Sequence, residues 1–295
     1  MRVGVIGLGD MGSGLAKNLI LNKFETIGFD LNKKRMEDFK NMNGISAHSI
    51  SEVGEFSDVV FVMVMNGNQA KQVIVSKDGL INHLKRGSTV ILTATIKPLE
   101  AKKIGETMKY KKINIIDSPV SGGFLGAQNG TLTMMAAGEK NVLEQCKSVM
   151  EAVSKTIHHV GVKSGEGQIV KACLQSLIGS IFSATFEAAA LAAKAGVKGE
   201  TLFNVFSTSG AGCNVTNTAL ENIIDRKFSG TGSSISTMHK DLTIALDLAE
   251  SLSVPLHTAS TAMQLFHAGK AKFPDGDNWV VTKVIEEIIG AELHR

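Results

Sequence analysis

Residues 2–12 read RVGVIGLGDMG: a short β-branched run, then Gly7-Leu8-Gly9-Asp10-Met11-Gly12, then a helical pattern. Strand, glycine turn and helix in that order form a phosphate-binding turn. The first glycine permits the tight bend, the second lets backbone approach a pyrophosphate, and the third lets helix pack closely on strand. The helix start adds unpaired N–H groups and the positive end of its dipole. An acidic residue is expected about 20 positions further on, at the end of the second strand. Asp30 stands there. Its carboxylate can accept hydrogen bonds from ribose hydroxyls and would repel a 2′-phosphate, and Leu31 beside it carries no cation. The reading is NAD in preference to NADP.

Outward from this turn, short β-branched runs alternate with amphipathic helical segments: RVGVI, ETIGFD, DVVFVMVM, STVILT, INIID, TLTMMAAG and TIHHVG. Such alternation predicts a parallel sheet with helices on both faces. The unbroken apolar run from Val59 to Met65 fits a central strand. After about Gly161 helical periodicity takes over, with a helix expected over 164–195 and others near 199–208, 214–226, 235–252 and 257–270. The expected fold is α/β: a Rossmann-type doubly wound domain over 1–162 and an all-α domain over 163–295, joined by the long helix.

The 295 residues suffice for two cores, and the net charge of +3 is spread without blocks, which speaks against nucleic acid as a partner. Cys146, Cys173 and Cys213 are odd in number and lack CxxC spacing, so reduced thiols in the cytoplasm are expected and a structural zinc site is not. No signal-peptide pattern opens the sequence. The stretch from Gly165 to Gly196 approaches membrane-span length, but Lys171, Gln175, Glu187 and Lys194 lie along it. It reads as a buried helix.

Lys171 is therefore the anomalous residue. An unpaired ammonium is costly to bury, so it either snorkels to water or serves a site. Gln175 follows at i+4, on the same helix face, where it can bond a substrate oxygen or orient the lysine. The loop Ser121-Gly122-Gly123 follows a strand end, the usual ligand position in open α/β sheets. It offers a hydroxyl and accessible backbone N–H groups to a carboxylate.

With GLGDMG, Asp117-Ser-Pro-Val-Ser-Gly-Gly123, Gly165-Glu-Gly-Gln-Ile-Val-Lys171 and Lys240-Asp241 in this order, the whole chain resembles the 3-hydroxyacid dehydrogenases. That group contains 3-hydroxyisobutyrate dehydrogenase, tartronate semialdehyde reductase and L-threonate dehydrogenase, and the chain looks most like the last. The resemblance implies hydride transfer to NAD from a small hydroxy acid, with Lys171 as acid/base, and assembly as a homodimer or homotetramer. It also implies cofactor contacts from Thr95, from Val64 and Met65, and from Lys240. Asp241 is expected to support local structure. Two departures bear on the substrate: Leu174 stands where the family has asparagine or histidine, and Asn214 where a bulky residue is usual. An imine reductase would replace Lys171, and a degenerate scaffold that only binds would lose it.

Overall fold

The computed structural model describes residues 1–295, which divide into two compact units, Met1–Lys171 and Ala172–Arg295. The first contains strands β1 (Arg2–Ile6), β2 (Glu25–Phe29), β3 (Ile45–Ser46), β4 (Val59–Val62), β5 (Thr89–Leu92), β6 (Asn114–Asp117), β7 (Val120–Ser121), β8 (Leu132–Ala137) and β9 (Ser154–Gly161). Its helices are α1 (Asp10–Leu21), α2 (Lys33–Asn41), α3 (Ile50–Phe56), α4 (Gly67–Val75), α5 (Pro98–Tyr110), α6 (Gly123–Asn129) and α7 (Lys140–Val153). Helix α8 (Glu166–Lys194) begins here and ends in the second unit, which adds α9 (Gly199–Thr208), α10 (Asn214–Ile224), α11 (Ile235–Ser251), α12 (His257–Lys272) and α13 (Thr282–Ile289).

The strand order is β3-β2-β1-β4-β5-β6-β8-β7, with β9 against β8. Its parallel part is in register at the C-terminal edge: Ile6 pairs with Phe29 and Val62, Val62 with Leu92, and Leu92 with Asp117. The loops after these strands therefore emerge side by side, and the strand order reverses between β1 and β4. That reversal is where open α/β sheets bind ligands. Side chains alternate between the faces, as the two-residue strand period requires. Val59 and Phe61 join one buried core with Leu15, Leu19 and Ile116, while Val60 and Val62 join the other with Val90, Ile104 and Met108.

Three features differ from the sequence expectation. Strand β4 stops at Val62, because both Thr93 and Ala94 donate to the Val62 carbonyl and Met65 turns outward, 57 % exposed. Strand β8 runs antiparallel to β6 and β7. A parallel return needs a crossover of a dozen or more residues, and the segment after β6 is instead spent on β7 and on α6, which packs on α1. The compact units also separate at 171/172 rather than 162/163. The first turns of α8 stay with the sheet through Gly167, where a Cβ would lie 2.6 Å from the Met135 carbonyl oxygen and 2.7 Å from that of Asp117.

In the second unit the aromatic core is built around Phe186, which stacks on Phe182 at 5.9 Å and lies 6.2 Å from Phe266. Trp279, Leu220, Ile223 and Val281 close around them. Arg226 donates to both carboxylate oxygens of the buried Glu286, at 2.6 and 2.9 Å, and fixes α13 to the end of α10. A paired, bidentate carboxylate of this kind can stay buried where a lone one could not.

Candidate active site

The glycine turn caps β1 at the reversal point. A Cβ on Gly12 would overlap the Gly7 carbonyl, and Gly7 itself has φ +90° with Met63 packed against it. Both positions thus require glycine, and the backbone they leave bare is open to a dinucleotide pyrophosphate. The first-turn N–H groups of α1 have no intrahelical partner and face that space. Leu8 has a narrower role than its place in the motif suggests: its side chain is in the core and its N–H donates to Asp30 Oδ2 at 2.8 Å. Met11 is half-buried against the same core and Asp10 is exposed.

Asp30 is a hub. Besides Leu8, the Asn32 N–H donates to its Oδ1 at 2.8 Å, and the Arg35 guanidinium lies 3.4 Å from its Oδ2. Leu31 points into solvent, 91 % exposed. The cation not found at Leu31 is therefore supplied one helical turn later. The Arg35 group lies over Gly9, where a Cβ would be 3.6 Å from its Cζ.

Further along the C-terminal edge, Val64 is half-buried against the second core and the Met65 N–H donates to Gln69 at 2.9 Å. Thr95 is half-buried in the loop after β5. Ser121 ends β7, and Gly122 and Gly123 are exposed with φ +128° and +60°. This turn leads into α6, whose Gln128 side chain donates back to the Asp10 carbonyl at 3.3 Å.

Lys171 is only 6 % exposed at the end of the first turns of α8. At the base of this turn are two residues of the DSPVSGG and GEGQIVK motifs, Asp117 and Gln168. Asp117 is fully buried and Gln168 is 1 % exposed. The Gln168 amide donates to Asp117 Oδ1 at 2.7 Å and to the Ala94 carbonyl at 3.1 Å, and accepts from the Ile96 N–H at 3.0 Å. Asp117 Oδ2 accepts from the Gly165 N–H at 2.8 Å. Burial pushes the Asp117 carboxyl up to about 6, against the lowering effect of these hydrogen bonds. Both residues stand within motifs visible in the sequence, DSPVSGG and GEGQIVK, but nothing in the spacing places residues 117 and 168 together.

In the second unit Gln175 is 6 % exposed and donates to Asp241 Oδ2 at 2.6 Å. Lys240 pairs with Asp241 Oδ1 at 2.9 Å. Asp241, itself 3 % exposed, thus holds both of the side chains singled out on this unit.

Residues 2–161 match the family model described as the NAD binding domain of 6-phosphogluconate dehydrogenase, and residues 165–285 match that of the NAD-binding of NADP-dependent 3-hydroxyisobutyrate dehydrogenase. Among curated proteins, L-threonate dehydrogenase of Escherichia coli is 32 % identical over 97 % of this chain and 95 % of its own length. The 2-(hydroxymethyl)glutarate dehydrogenase of Eubacterium barkeri is 30 % identical, covering 99 % of this chain and 97 % of its own. Among solved structures, 3-hydroxyisobutyrate dehydrogenase from Salmonella typhimurium superposes with TM-score 0.89 at 30 % identity, over 96 % of this chain and 99 % of that one. With the glycine cradle, the Asp30 hub and the helical second unit in place, the chain belongs to the 3-hydroxyacid dehydrogenases and is an NAD(P)-dependent oxidoreductase of that family.

Proposed function

We propose that this enzyme oxidises a four-carbon sugar acid of the L-threonate type, with Lys171 as the base that takes the hydroxyl proton. Bound NAD supplies the hydride acceptor. The observation that carries the reading is the burial of Lys171, at 6 % exposure, on a helix start anchored to the strand ends that carry the cofactor loops. An amine held in such a place can serve in either direction: as base for the alcohol, or as acid for the carbonyl. The similarity to L-threonate dehydrogenase over 97 % of the chain supports the substrate class.

The remaining residues take the parts their chemistry suits. Ser121, Gly122 and Gly123 are assigned the substrate carboxylate, and Gln175, one turn beyond Lys171, a substrate hydroxyl. Val64, Met65, Thr95 and Lys240 are assigned to the cofactor. The free cysteines fit a reducing, cytoplasmic setting.

Leu174 favours a second reading. It lies at i+3 from Lys171, on the same helix face, and is apolar and half-buried. A substrate with a methyl branch, such as 3-hydroxyisobutyrate, would suit it better than a polyol. Initial rates of NADH formation on L-threonate, D-erythronate, 3-hydroxyisobutyrate and glycerate decide between the two. Preference for a four-carbon sugar acid upholds the first reading, and preference for 3-hydroxyisobutyrate replaces it with the second.

A further inference from the structure

Asp117 and Gln168 have no part in the assignments above, yet both are buried more deeply than Lys171. Burying polar groups is costly unless each is satisfied, and here nearly every atom is engaged. The Gln168 side chain bonds the Ala94 carbonyl and the Ile96 N–H, the residues on either side of Thr95. The same amide reaches Asp117 Oδ1 at 2.7 Å, while Asp117 Oδ2 receives the Gly165 N–H at 2.8 Å and the Gln168 N–H at 3.3 Å. One carboxylate and one amide therefore join the end of β6, the loop after β5 and the first turn of α8.

The geometry of that turn is fixed in three ways. Asp117 caps its N–H groups and sets its position along the axis. The Gln168 side chain sets its rotation. Gly167, with no room for a Cβ, sets its height above the sheet. Lys171 lies at i+3 from Gln168, one turn further along the same face, so its Cα is located by the same contacts.

We propose that Gln168, braced by Asp117, is a positioning residue that fixes the Lys171 side chain and the Thr95 backbone at one setting relative to each other. The inference rests on Lys171 being the acid/base. A cap with a purely structural role would affect stability and leave turnover in the folded enzyme unchanged, whereas a misplacement of about 1 Å at a reacting group costs about a hundredfold in rate.

The test compares Q168L, Q168E and the double variant D117N/Q168E with wild type and K171A, well below each melting temperature. Q168L leaves three buried partners unpaired. Q168E sets a second carboxylate against Asp117. The double variant reverses the polarity: an amide at position 117 donates to a carboxylate at position 168, which still accepts from the Ile96 N–H. The expected result is a kcat about a hundredfold lower in both single variants, with the double variant recovering about tenfold over Q168E. The Kd for NADH, read by nicotinamide fluorescence, should rise about threefold in Q168L, because the backbone beside Thr95 is released. If Q168L fails to fold, Q168N, with its amide one methylene too short, replaces it. Wild-type kcat and NADH binding in the folded single variant would overturn the proposal, as would no recovery in the double variant. A fully active K171A removes the base reading and the proposal with it. An inactive K171A beside a fully active Q168L removes the positioning role alone.

Discussion

We propose that Asp30 and Arg35, paired at 3.4 Å, set the terms on which the adenosine end of a cofactor is read. Asp30 alone would repel a 2′-phosphate, but the guanidinium 3.4 Å from its carboxylate offsets that charge and can bond a phosphate directly. Replacing Arg35 with alanine is expected to weaken NADP binding about tenfold more than NAD binding, the scale of one charge-assisted hydrogen bond. Parallel titrations with NADPH and NADH measure this, and equal losses for both would show that Arg35 does not discriminate. Asp30 was legible from its distance to the glycine turn. Arg35 was not, because its place over Gly9 depends on the turn from β2 into α2, where the Asn32 side chain caps the helix through the Lys34 and Arg35 N–H groups. Lys171 was legible as a charge within an apolar helix, whereas Gln168 beneath it looked like an ordinary polar position.

Helix α8 was read from its sequence almost to the residue, since few other segments are so long and apolar. The short β3 and β7 were missed, because two-residue strands carry no periodicity. The anchoring of α8 on β6 was also missed, and it has a pH consequence. The Asp117 carboxyl is raised from 3.8 to about 6 by burial. Between those values the folded protein holds a proton that the unfolded chain has released, so this group's contribution to stability is greatest at low pH and falls as pH rises toward 6. D117N cannot titrate. The melting temperature of wild type minus that of D117N is therefore expected to grow as pH falls from about 7 to about 4.5, as thermal unfolding followed by circular dichroism would show. A difference independent of pH would mean that Asp117 does not hold this proton in the folded state.

At the scale of the whole molecule, the two-unit plan followed from the change of period near residue 161, and the compact units part at 171/172, within α8, which belongs to both. The same helix is long and apolar enough to cross a membrane, yet its Phe182, Phe186, Ala189, Ala190 and Ala192 are buried within the protein. Leu177, Ala184 and Leu191, seven residues apart, leave an exposed apolar stripe along it, with Leu177 58 % and Leu191 72 % exposed. A seven-residue repeat suits a second helix lying alongside, and the homodimer or homotetramer that the family resemblance implies would cover it. Sedimentation at micromolar concentration should give a dimer or tetramer that L177E/L191E dissociates, whereas a monomeric wild type would exclude this assembly. The chemistry of Lys171 is tested by NADH formation by wild type and K171A on the preferred hydroxy acid, with NADH binding measured alongside. If Lys171 is the acid/base, K171A binds NADH as wild type does and turns over at least about a hundredfold more slowly. Turnover near the wild-type rate would contradict that role.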